Sequence, residues 1–251
     1  SSRRRHTRSL CDWSSDVCSS DLFISSFLII LIPSLFTWLI PDPKGQDLFV
    51  RIARVWMRFW LTIVGCKLVI KGKSNFKKNE IYIVTCNHNS LLDPPLSSPF
   101  IQGPNKTIAK SDFNKIPLFN WYYRKGGLLV NRKSEESRKR SYEEMKWVLK
   151  KGIHMCIYPE GTRNRTDQPL KAFYSGAFRL SVDSGHSILP AVLLNTKNVL
   201  PPGKFLYGWP GKVEIHFLHP ISPVGKTADD LKTEVFNKMC AYYVNMSTNN
   251  P

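Results

Sequence analysis

The sequence predicts an α/β protein: a mixed central sheet flanked by helices, carried behind an N-terminal membrane-anchoring helical segment. Three observations lead there. From residue 66 onward, short apolar runs of strand length alternate with stretches of helical period. An uncharged run of 19 residues, 22–40, precedes them. A helix with Arg on one side and aromatics on the other, 47–65, links the two.

Composition sets the outer bounds. The chain has 251 residues, 42% hydrophobic and 22% charged, which excludes a disordered chain and a wholly membrane-embedded one. That length suits one globular domain with attachments, read as an anchor at 23–65 and a domain at 66–246. Lys and Arg number 36 against 19 Asp and Glu, a net charge of +17. Such a field attracts nucleic acid, an anionic membrane surface or phosphorylated small molecules. The six Cys (11, 18, 66, 86, 156 and 240) form no CxxC pair. That argues against a zinc ribbon or a disulfide framework and fits a reducing compartment.

Residues 1–22, SSRRRHTRSLCDWSSDVCSSDL, show no apolar period and no helix or strand pattern. They resemble a translated sequencing adaptor, and we read them as a non-native tail outside the fold. The run 22–40 is long enough to span a bilayer as a helix, with Pro33 kinking or splitting it. In 47–65, Arg51, Arg54 and Arg58 fall within an arc of about 60° at 3.6 residues per turn. Phe49, Ile52, Ala53, Trp56, Trp60 and Ile63 lie roughly opposite. This suits the headgroup region of a bilayer; an ordinary amphipathic helix with a solvated basic face is the other reading. Basic residues after Pro41 place the bulk of the chain on the cytoplasmic side.

In the globular part, 81–86, 128–130, 155–158, 188–194 and 213–218 read as strands. Residues 134–151 read as a helix: Ser134 caps it, Glu135 and Glu136 fill the first turn, Lys150 and Lys151 the last, and Gly152 stops it. Further helices are read at 172–183 and 228–244, and Gly103, Pro104 and Asn105 mark a loop.

Three predicted strand ends carry polar groups, at 87–93, 131–132 and 159–163, and sites in open α/β sheets gather beyond such ends. His88 and Asp93, five apart, would diverge on one continuous helix. A strand-to-helix turn with Asp93 in the first helical coil would bring them together. Asp93 would then hold one ring nitrogen and leave the other as a general base. The bland reading is a polar loop closed by Pro94 and Pro95. In Glu160-Gly161-Thr162-Arg163, Gly161 permits close backbone approach to a ligand and Arg163 offers a fork for phosphate, with Arg132 a second fork. For either Arg alone, a solvated turn residue explains as much. Lys110 is a further phosphate candidate, with a plain surface lysine as its other reading. No G-x-S-x-G elbow, phosphate loop, dinucleotide fingerprint or zinc-site spacing is present. His154, His186, His216 and His219 show no evident partner, and Cys86 and Cys156 read as core.

Taken together, these blocks resemble the 1-acyl-sn-glycerol-3-phosphate acyltransferase family of the glycerolipid acyltransferase superfamily. Asn87–Asp93 is similar to its N-H-x4-D block. Gly126–Arg132 is similar to its second block, Tyr158–Arg163 to its [FY]-P-E-G-T-R block and Ile188–Val192 to its apolar strand with Pro. Tyr174 stands where the family often has Lys. The resemblance implies direct acyl transfer. His88, oriented by Asp93, would deprotonate the sn-2 hydroxyl of lysophosphatidic acid for attack on the thioester of acyl-CoA or acyl-carrier protein, giving phosphatidic acid. Arg132, Glu160, Gly161, Thr162 and Arg163 would hold the glycerol phosphate. No metal or cofactor is implied. The partners are membrane lipid and the two substrates, with no nucleic acid. The rivals are the same chemistry on glycerol 3-phosphate, a lysophospholipid or an amino-acid lipid, and a non-catalytic basic lipid-binding membrane protein.

Overall fold

The computed structural model describes residues 11–110, 119–131, 134–201 and 209–248; of residues 11–23, 110 and 119 it describes only the backbone. Seven strands form one sheet: β1 (Cys66–Lys71), β2 (Ile83–Cys86), β3 (Asn105–Lys110), β4 (Gly127–Val130), β5 (His154–Ile157), β6 (Ile188–Leu194) and β7 (Gly211–Phe217). Their order is β1-β7-β6-β2-β5-β3-β4. Five pairings are parallel and the β6–β7 pairing is antiparallel, so the sheet is mixed as expected. The carboxyl ends of β2, β3, β4, β5 and β6 therefore share one edge.

Both faces are covered, and strand alternation decides which side chain goes where. Tyr82, Val84 and Cys86 join the core under α1 (Cys11–Phe36), α2 (Lys44–Ile63) and α3 (Asp93–Ser97). Ile83, Met155, Ile157 and Ile188 meet α5 (Glu135–Lys150), α6 (Gly176–Ser184) and α8 (Ala228–Thr248) on the other face. Two short helices, α4 (Phe119–Gly126) and α7 (Thr196–Val199), complete the layers. The Ser134 cap is as read: its side chain accepts the Ser137 N–H at 3.2 Å. Gly185 ends α6 in the left-handed region at φ +73°.

The N-terminal segment differs from expectation at its start, and of the two outcomes expected for Pro33 one is absent. Helix α1 begins at Cys11, inside the segment read as patternless. Pro33 does not split it; the helix runs three residues further and tightens into a 3-10 turn at Thr37–Leu39. Among the described residues, no helix is long and apolar enough to cross a membrane. The aromatic face of α2 also turns inward. Trp56, Met57, Trp60 and Leu61 are buried against the sheet, Phe27 of α1 stacks obliquely on Trp56 at 5.8 Å, and Trp56 Nε1 donates to Ser26 Oγ at 3.0 Å. Phe49, Ala53, Trp56 and Trp60 of the stripe assigned to the bilayer are core, each large side chain stabilising the fold by about 1.5–3 kcal/mol, while Ile63 at the helix end is exposed. Asn105, read as loop, opens β3: it pairs with His154 and is fully buried.

Candidate active site

Strand β2 ends at Cys86, and the next residue locks the site's floor. The buried Asn87 amide donates to Leu193 O at 2.9 Å and accepts Leu193 N–H at 2.7 Å, imitating a backbone pair across to β6. The chain then turns through His88 and enters α3 at Asp93. This is the strand-to-helix turn anticipated from the spacing. His88 Nδ1 lies 2.8 Å from Asp93 Oδ2. The same carboxylate oxygen accepts Asn89 N–H at 2.5 Å and Ser90 N–H at 2.7 Å. Asp93 is fully buried and the His88 side chain is 17% exposed. A carboxylate fixed by two backbone donors offers its remaining capacity to Nδ1–H, which leaves Nε2 with the lone pair. The His88 ring also rests against Tyr158, 4.6 Å between centroids, and Tyr158 Oη is 2.6 Å from Ser97 Oγ.

The block following β5 is stitched to this turn at the backbone. His88 N–H donates to Glu160 Oε1 at 2.8 Å, and Asn164 N–H donates to His88 O at 2.6 Å. Arg163 thus lies between two residues bonded to the His88 main chain. Glu160 is buried, and its Oε2 accepts Lys171 N–H at 3.1 Å. Burial raises its pKa, opposed by those two N–H bonds and by the nearby His88. Glu160 therefore ties the His88 turn to the 171 segment, a strut rather than a phosphate clamp. Gly161 holds φ +72°, which an L side chain adopts only with strain. Thr162 is exposed, and its Oγ1 accepts from Lys171 Nζ at 2.7 Å.

Lys110 ends β3 at the same sheet edge, with its side chain outside the description. Arg132 lies outside the described residues. Two contributors were missed from sequence. Lys171 brings an ammonium beside Thr162, three residues before Tyr174 in a stretch without regular period. Tyr243 of α8 lies near this turn, with its pKa raised by burial and by the Asp93 charge. Nothing local links residue 243 to residue 89. His154 and His216, read as partnerless, both have partners: His154 Nδ1 accepts Tyr82 N–H at 2.9 Å, and His216 sits between Glu214 (3.0 Å) and Tyr242 (3.0 Å). Neither belongs to this edge. Cys86 and Cys156 are buried as read, their sulfurs 3.9 Å apart.

The acyltransferase family profile matches residues 67–194, which contain His88, Asp93 and the 160–163 block. A 1-acyl-sn-glycerol-3-phosphate acyltransferase of Chlamydomonas reinhardtii is 31% identical over 218 residues, covering 83% of this chain and 64% of the algal protein. The chain thus spans just under two thirds of that relative. The enzyme of the same name from Borreliella burgdorferi is 30% identical over 177 residues, 70% of each chain. The crystal structure of the acyltransferase PlsC from Thermotoga maritima superposes with a TM-score of 0.78 at 24% identity, covering 92% of this chain and 96% of the other. That likeness speaks to the fold. With half of its length under the profile and bacterial and algal relatives at this level of identity, the chain belongs to the acyltransferase family, in its 1-acyl-sn-glycerol-3-phosphate acyltransferase branch.

Proposed function

We propose that the chain transfers a fatty acyl group to the sn-2 hydroxyl of lysophosphatidic acid, giving phosphatidic acid. The observation that carries this reading is the His88–Asp93 pair, bonded through the His88 main chain to both Glu160 and Asn164 on either side of Arg163. His88 Nε2 takes the hydroxyl proton as the oxygen attacks the thioester carbonyl carbon. Asp93 stabilises the imidazolium that forms. The tetrahedral intermediate collapses, the C–S bond breaks, and the leaving thiolate recovers the proton from Nε2. Arg163 holds the acceptor phosphate, with Thr162 and the adjacent Lys171 ammonium at its rim. The donor is acyl-CoA or acyl-carrier protein.

Both lipids live in a bilayer, and the chain has an apolar surface to meet one. Ile29, Ile32, Phe36 and Leu39 of the α1 segment and Val55 and Phe59 of α2 are exposed. They dock the protein in the plane of the membrane, with the catalytic domain on the cytoplasmic side. The test is an acyl-transfer assay of the full chain against lysophosphatidic acid, glycerol 3-phosphate and lysophosphatidylcholine, with each donor. Phosphatidic acid forming from lysophosphatidic acid supports the reading. Exclusive use of another acceptor, or no transfer, overturns it.

A further inference from the structure

The edge of the sheet opposite His88 carries a second basic site. Gln102 and Gly103 precede β3, and Lys73 follows β1, which runs against β2. Between them and the flank of α2 lies a cleft of about 480 Å³, lined by Arg51, Arg54, Arg58, Lys73 and Gln102, with Asp47 as its acid. Its size suits a small organic anion. Asp47 is occupied by Arg51 at 2.8 Å. Among the described residues, no carboxylate pairs with Arg54, Arg58 or Lys73.

Three features make this a built site rather than a solvated charge run. Arg54 is half-buried and immobilised by two backbone carbonyls, Nε to Pro99 O at 2.5 Å and Nη2 to Ile101 O at 3.0 Å. Arg58 lies over the Phe100 ring at 5.8 Å, which holds its guanidinium at the cleft wall. Arg51, Arg54 and Arg58 are spaced three and four apart, so each repels the next unless an anion lies among them. Burial first, then the neighbouring Arg58, lower the Arg54 pKa, with Asp47 opposing.

The occupant follows from what borders the cleft. Leu48, Val55 and Phe59 are exposed on α2 and fall about 40–80° round the helix from Arg51. A ligand seated among the arginines therefore has an apolar stripe directly beside it. We propose that this cleft binds the phosphate headgroup of an anionic membrane phospholipid, whose acyl chains lie along the Leu48–Val55–Phe59 stripe. The site is separate from the acceptor site at His88. It rests on the in-plane docking proposed above, and the two fail differently in the experiment.

The probe is phosphatidylcholine vesicles with and without phosphatidylglycerol, a phosphodiester lipid that is not the reaction product. The full chain is compared with an Arg58→Gln, Lys73→Gln double variant, which leaves the Arg54 carbonyl contacts in place. Each basic residue contributes about fivefold to anionic-surface binding, so the double variant loses on the order of 25-fold on phosphatidylglycerol vesicles. It binds pure phosphatidylcholine as the parent does, because that binding reads the apolar surface. The increment also shrinks as salt rises. Equal binding of parent and variant to phosphatidylglycerol vesicles overturns the site. An equal loss on both vesicle types overturns it too and points to the apolar docking or the fold. Displacement from phosphatidylglycerol vesicles by free coenzyme A, or by acidic carrier protein, absent in the double variant, assigns the cleft to the acyl donor and overturns the lipid occupant.

Discussion

Asp93 Oδ2 stands 2.8 Å from His88 Nδ1 while accepting two backbone N–H groups, from Asn89 and Ser90. The carboxylate is thereby fixed before it touches the ring, and the ring tautomer is fixed by the carboxylate. Orientation of the base is built into the turn that begins α3, so it does not await substrate.

Asp93→Asn tests that relationship. The amide oxygen can keep the three Oδ2 contacts, but the negative charge that stabilises the imidazolium is gone. We expect kcat to fall by about 10²–10⁴-fold, the usual scale of general-base assistance. The KM for lysophosphatidic acid should stay within a fewfold and far-UV circular dichroism should be unchanged. A fall in affinity at constant kcat would assign Asp93 to binding instead.

Arg163→Ala should act in the opposite column. A charge-assisted hydrogen bond contributes about 1.5–3 kcal/mol, so the KM for lysophosphatidic acid should rise on the order of 10- to 150-fold, with kcat less affected. Steady-state kinetics over acceptor concentration decides it. An unchanged KM removes Arg163 from the phosphate site.

Asn87→Ala should cost stability. It leaves both the N–H and the C=O of buried Leu193 without their partner, each costing about 1–3 kcal/mol. Urea denaturation should show a loss of at least about 2 kcal/mol. A smaller loss would mean the β2–β6 junction does not depend on that amide.

His154 sets a pH dependence of folding. Burial lowers its pKa to about 4 in the folded chain, against 6.5 for the free side chain. The unfolded chain then binds the extra proton first, so stability falls as pH drops through 6.5 and continues to fall to about 4. The full effect is about 3 kcal/mol. His154→Phe should flatten the stability profile between those limits. Parallel profiles for parent and variant would contradict a neutral buried His154.

Much of this architecture can be read from the residues, and the failures have physical causes. Strand β6 was read to the residue, 188–194, because it is buried along its whole length and its sequence is an unbroken apolar run. Helix α5 was read to within a residue because its cap, dipole charges and stop signal agree. Helix α6 was expected at 172 but starts at Gly176, since Lys171 N–H and Tyr174 N–H are taken by Glu160 and by Pro159 O. Site geometry overrode helical period there. Asn105 carries a turn signal from Gly103 and Pro104, and only pairing with His154 makes it strand. The periodicity of α2 identified its aromatic face, but a period does not say whether lipid or protein covers that face. At the site, spacing leaves the His88–Asp93 pairing open between a turn-formed pair and a polar loop, and the resemblance of the ordered blocks to the acyltransferase family favours the pair. The parts played by Lys171 and Tyr243 depend on long-range packing that no local pattern encodes.

The central claim is that the His88 imidazole is the base. The most direct measurement is single-turnover acyl transfer to lysophosphatidic acid by His88→Ala beside the parent protein, both checked for an intact fold. The account predicts loss of transfer by about 10²–10⁴-fold with lysophosphatidic acid still bound. Transfer at the parent rate by the folded variant would contradict it.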